Sequence, residues 1–160
     1  MKRVNFLVKL AQEGKLQVVE PNEDIQGAYL QKSGKSLSSA KALLEIGNLE
    51  DSVALAYYAM YHCLLALLFR IGIKCENHAA AIILLKSVFG INNIEISKAK
   101  SDRVDRQYYV DFAISKEDTA ESIAVAEEFI ANLADFIARI TEEDVKRFRK
   151  DAMALMRSAK

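Results

Sequence analysis

Two histidines, His62 and His78, are the only side chains in the chain whose ordinary pKa suits acid–base work near neutrality. Each also has a plainer reading. His62 sits in a run without charge, where a satisfied buried imidazole is the ordinary outcome. His78 falls in the first turn of a predicted helix, whose positive dipole end disfavours the imidazolium and suits a neutral, hydrogen-bonding ring. Arg103 and Arg106 stand three residues apart, so on a helix they share a face and can address one anion together. With Tyr109 and Asp111 they make a candidate nucleotide or RNA patch; the competing reading is an ion-pair network with Asp102, Asp105 or Asp111. Tyr57, Tyr58 and Tyr61 lie on an apolar helix, which suits core or dimer contacts, with base stacking available where an edge opens to a groove.

Other motifs dissolve on inspection. Ser33-Gly34-Lys35-Ser36 contains the end of a phosphate-binding loop, but the glycine required five residues earlier is Tyr29 and no strand precedes it. A polar helical turn is the reading. His62, Cys63, Cys75 and His78 could be drawn as a zinc site, yet neighbours 62 and 63 point about 100° apart on a helix and the spacing fits no zinc module. No metal and no cofactor is therefore expected, and the two cysteines read as buried, small hydrophobes in a reducing compartment. No nucleophile elbow or Cys-His signature is present. Glu127-Glu128 reads as part of a solvated helix face.

The elements that must hold these residues follow from composition and periodicity. At 160 residues, 51% hydrophobic, with one proline and six glycines, the chain fits one mostly helical domain and neither a β-sandwich nor a disordered protein. Twenty-two basic residues balance twenty-two acidic ones, which excludes a uniformly basic nucleic-acid coat. The balance is a cancellation: both ends are basic and residues 116–135 are acidic. The opening apolar run is broken by Lys9, so a secretory signal is not expected and a cytoplasmic location is.

Helices are predicted over 2–12, from Pro21 to Gly47 with a weak point at Gly34, over 49–71, over 78–89, over 102–110 and from Ser115 to Ile140. The last begins at Thr141. Residues 91–101 read as a polar connection. Residues 53–69 carry no charge but fall just short of a bilayer span, and predicted helices on both sides favour a buried central helix over a membrane segment. Ile123, Ala126, Ile130, Leu133, Ile137 and Ile140 recur as the seam of a packed bundle. The fold class is all-α: an antiparallel four- to five-helix bundle, with an added N-terminal helix. Residues 1–160 form one domain, 22–140 its core, and 141–158 an appended helix packed on the bundle or on a partner.

Three segments carry a resemblance. Residues 49–68, with Asp51-Ser52 and the block Tyr57-Tyr58-Ala59-Met60-Tyr61-His62, look like the central helix of HEPN domains. Gly72-Ile73-Lys74-Cys75-Glu76-Asn77-His78 resembles the opening of the helix that follows in that family, and residues 103–112 are similar to its Arg-rich segment before a capped final helix. The likeness covers about residues 28–140. It implies a helical bundle dimerising through its central helices around a cleft, and thus a homodimer. Many HEPN proteins are metal-independent ribonucleases with an Arg and a His spaced four to six residues apart. Others bind nucleotides, RNA or proteins, and many are paired with a minimal nucleotidyltransferase in toxin–antitoxin systems.

This chain departs from the catalytic pattern, because no histidine follows Arg103 or Arg106, and Arg70 and His78 are separated by one residue too many. The leading expectation is a non-enzymatic protein that binds nucleotide, RNA or a partner nucleotidyltransferase. A divergent ribonuclease is the alternative, with Arg103 or Arg106 meeting His62 or His78 across helices. A third is a scaffolding protein without RNA affinity.

Overall fold

The computed structural model describes residues 2–108 and 113–157, with the side chains of residues 5–104 and 113–157. Along the chain run α1 (Lys2–Gln12), β1 (Leu16–Val18), α2 (Glu23–Glu45), α3 (Leu49–Arg70), β2 (Ile73–Cys75), α4 (His78–Ser87), α5 (Ile94–Tyr108), α6 (Lys116–Arg139) and α7 (Glu142–Leu155). The all-α class holds, with the two short strands as its only sheet among the described residues.

The centre is α3. It packs against α2, α5 and α6, and also against α4 and β2. Its apolar residues are long enough as a run to cross a membrane by length and composition, but 72% of that stretch is buried within the protein. Two buried serines join α2 to α3: Ser33 Oγ donates to the Ala59 carbonyl and Ser52 Oγ to the Ala40 carbonyl, each at 2.6 Å. As the partner number rises on one helix it falls on the other, so the pair is antiparallel. Gly34 leaves α2 unbroken, because packing along α3 outweighs the roughly 1 kcal/mol that an interior glycine takes from a helix.

Caps set most helix starts. Asn22 accepts from Ile25 N and Asn77 from Ala80 N, both at 2.9 Å. Ser115 caps α6, and Thr141 with Asp144 forms a reciprocal capping box on α7. Pro21 stands before the cap rather than inside the helix.

One expectation about the elements is corrected. Residues 91–101 are not a polar connection: α5 starts at Ile94, where the Asn92 side chain accepts from Ile94 N at 2.8 Å. A single fully buried residue, Ile96, and the half-buried Ala99 anchor this otherwise polar turn on the core, a pattern too sparse for periodicity to reveal. The ribbon was not foreseen: β1 pairs antiparallel with β2 in the register Leu16↔Cys75, Gln17↔Lys74, Val18↔Ile73. Three-residue strands carry no readable alternation.

Helix α7 packs on the bundle. Val145, Phe148 and Ala152 are buried, and the Phe148 ring lies 4.9 Å from Phe89 and 6.0 Å from Phe136. Arg70, at the end of α3, donates to Glu142 at 2.8 Å and faces Glu23 at 3.6 Å.

Candidate functional site

Four ring-bearing residues leave α3 side by side: Tyr57, Tyr58, Tyr61 and His62. Positions 57 and 61 share one row, 58 and 62 the next, as one helical turn requires. The first row faces α4. The Tyr57 hydroxyl lies 2.7 Å from Nδ1 of His78, and the Tyr61 ring stacks on the same imidazole with centroids 3.9 Å apart and planes 17° from parallel. His78 is held there because it is the first residue of α4, fixed by the Asn77 cap directly after β2.

The second row faces α5 and α2. Arg103 Nη1 donates to the Tyr58 hydroxyl at 3.1 Å, and its guanidinium carbon stands 5.3 Å from the Tyr58 ring centre and 5.4 Å from that of Tyr57. Both distances are within cation–π range. The Tyr58 and His62 rings lie near parallel with centroids 6.0 Å apart. From α2, Ser36 Oγ comes within 3.3 Å of Nδ1 of His62, and the Tyr29 ring within 6.1 Å of the imidazole.

The electrostatics are one-sided. Burial holds His62 down to about 4, with Lys32 and His78 adding to the effect. Burial also lowers His78, followed by the charges of Arg103 and Lys100. The Tyr57 and Tyr61 hydroxyls are pushed up by burial above all, so both remain protonated. Among the described residues, the charges that lower the two imidazoles are cationic. The result is two neutral imidazoles beside Arg103, Lys32 and Lys100. Tyr57 and Tyr61 are buried, while Tyr58, His62, His78 and Arg103 keep part of their surface in solvent. Such a cluster can hold an anion by hydrogen bonds and charge, and can stack a flat group on its open edges.

The fold thus brings together His62, His78, Arg103, Tyr57, Tyr58 and Tyr61. Arg106 lies on α5 with its side chain outside the described residues, and Tyr109 and Asp111 fall wholly outside them. Asp102 lines a different space, a cavity of about 220 Å³ between α3, α5 and α6, with Tyr57, Glu95 and Glu121 among its walls. Cys63 and Cys75 are buried; their sulfurs approach the carbonyls of Ile130 at 4.0 Å and Asn77 at 3.2 Å. The Gly34-Lys35-Ser36 turn lies inside α2, where backbone amides belong to the helix rather than to a phosphate cradle. Tyr29, Lys32, Ser36 and Lys100 also join the site, although Tyr29 and Ser36 figured in the sequence only around the rejected phosphate loop and Lys32 and Lys100 in no motif. Only the three-, four- and seven-residue spacings of Tyr29, Lys32 and Ser36 along one helix hinted at a shared face.

Comparison with known proteins follows the same outline. The model of the HEPN domain family matches residues 27–160. The UPF0332 protein PH1297 of Pyrococcus horikoshii is 43% identical over 54 residues, a stretch that covers 34% of this chain and 38% of that protein. The chain thus spans little more than a third of that curated relative. Central helix, capped α4, Arg-bearing α5 and the match over residues 27–160 agree, and the chain belongs to the HEPN domain family.

Proposed function

We propose that this protein binds single-stranded RNA or a nucleotide through phosphate at the Arg103–His78 cluster, with the exposed edges of Tyr58 and His62 available to a base. One observation carries the reading: the Arg103 guanidinium is held against two tyrosine rings beside a His78 whose pKa is lowered by burial and by Arg103 and Lys100. Burying the flank of a cation against aromatic faces fixes the direction of its guanidinium. On this reading the protein works in the cytoplasm as a homodimer. A nucleotidyltransferase, which handles the same phosphate chemistry, is then a fitting partner, and a toxin–antitoxin-type pairing a fitting context. Family membership supports both.

Fluorescence anisotropy with a labelled single-stranded RNA at several salt concentrations tests the site. Arg103→Gln is expected to weaken binding about tenfold and to reduce the salt slope by about one. Unchanged affinity in the variant removes the site from RNA binding. Wild-type protein without RNA affinity, but co-purifying stably with a protein, gives the scaffolding reading instead.

A divergent metal-independent ribonuclease is the second reading, favoured because the fold sets an arginine and a histidine from different helices against the same residue, Tyr57. RNA incubated with the protein in EDTA reads it out. Cleavage lost in His62→Ala/His78→Ala supports it, and equal cleavage by both proteins assigns the activity to a contaminant.

A further inference from the structure

The bond between Tyr57 and His78 decides which nitrogen of the imidazole holds the proton. Tyr57 is fully buried, with none of its surface in solvent. Its hydroxyl meets one acceptor among the described residues, Nδ1 of His78, at 2.7 Å. A buried O–H without water has to donate where it finds a lone pair. Arg103 above the same ring draws electron density from the phenol and makes it a better donor. A ring nitrogen that accepts carries no hydrogen, so the other one does. Tyr61, stacked 3.9 Å away, fixes the plane of the ring.

We infer that Tyr57 is a positioning residue, which donates to Nδ1 of His78 and thereby sets its Nε2–H as a hydrogen-bond donor to a phosphate oxygen beside Arg103. The tautomer stands on the Tyr57–His78 geometry alone; the phosphate as its target rests on the RNA-binding reading. The arrangement has a chemical corollary. With Nδ1 occupied and Nε2 protonated, His78 has no free lone pair to take a proton from a ribose 2′-hydroxyl. It acts as a neutral donor, held uncharged by burial first and by Arg103 and Lys100 beside it. A base for RNA cleavage, where cleavage occurs, then falls to His62.

Imidazole nitrogens report their protonation directly in long-range proton–nitrogen correlation spectra of 15N-labelled protein. At pH 7, in the protein without RNA, Nδ1 of His78 is expected at the shift of an unprotonated ring nitrogen and Nε2 at that of a protonated one. The reverse pattern overturns the inference whether or not RNA binds. In Tyr57→Phe the donor is lost and a mixture of both tautomers is expected, with His62 unmoved as the control for an intact fold. An unchanged His78 spectrum in that variant also overturns it. For the phosphate role, anisotropy with the same RNA is expected to show Tyr57→Phe binding about threefold to tenfold more weakly, as for one lost hydrogen bond. His78→Ala should weaken binding about tenfold, while His78→Gln, whose amide N–H stands near the place of Nε2–H, should remain within about threefold of wild type. Equal affinity in His78→Ala overturns the phosphate role, and wild-type protein that binds no RNA overturns it together with the binding reading; in either case the spectrum alone judges the tautomer.

Discussion

Arg149 occupies the place that a side chain on Gly72 would need. Its Nη1 crowds the position of a Cβ there and donates to the carbonyls of Gly72 and Ile71, each at 3.1 Å, and of Val19 at 2.5 Å. A cation on carbonyls at the end of α3 also suits that helix's dipole. One guanidinium therefore ties α7 to the end of the central helix and to the segment that enters α2.

Gly72→Ala is expected to destabilise the protein by about 3–5 kcal/mol, since backbone strain, crowding of the Val19 carbonyl and Pro21 nitrogen, and loss of the Arg149 contact combine. Gly72 has φ +77° and no room for a methyl group. Gly47 is the control: its φ is +83°, yet nothing lies within 4 Å of an added Cβ. Gly47→Ala should lose only the strain, about 1–2 kcal/mol. Urea unfolding of the two variants measures the difference, and equal losses would refute the close packing of Val19, Pro21 and Arg149 on Gly72.

His62 makes stability fall with acid. Its folded pKa of about 4 lies below the ordinary 6.5, so between those values the unfolded chain binds more protons than the folded one. Stability from this group is complete above pH 6.5 and declines as the pH drops toward 4. Because the ring is half-exposed, about 1–2 kcal/mol is a fair discounted size. His62→Gln should lose that much less stability than wild type between pH 6.5 and 4.5 in urea titrations. Parallel declines would show that His62 is not the group responsible.

Both thiols should be inert in the folded protein. Cys63 has none of its surface in solvent and burial pushes it up to about 12; Cys75 is 5% exposed and is also raised by burial. Since the thiolate is the reactive form, an aromatic disulfide reagent should react about a hundredfold or more slower than with a free thiol. Urea should bring both rates up together with unfolding. Fast labelling of either cysteine under native conditions would contradict the packing around it.

Long-period features were legible in the sequence because they repeat. The seam through Ile123, Ala126, Leu133 and Ile137 is buried as the periodicity requires, while its other two members, Ile130 and Ile140, are half-buried. The caps at Ser115 and Thr141 act through the bonds that their residue types suggest. The family itself was readable in the Tyr57–His62 block. What escaped depended on single contacts between distant segments. One buried isoleucine, Ile96, starts α5, and three paired residues make each strand. In the site, the sequence supplied both histidines, Arg103 and the tyrosines, but no spacing foretold that Tyr57 reaches His78 or that Arg103 lies over Tyr57 and Tyr58. Those meetings are set by how α3, α4 and α5 cross.

The small ribbon has a reach beyond its size. Val19 N donates to Gly72 O and Glu76 N to Lys15 O, so the strand pairing is continued at both ends. It leads directly into the Asn77 cap and His78. The family's matched region begins at residue 27, which leaves β1 outside it. A protein trimmed to that matched boundary would preserve every side chain of the tyrosine–histidine cluster and discard the strand that holds His78 in register. The inherited module, in this chain, is aligned by its leader.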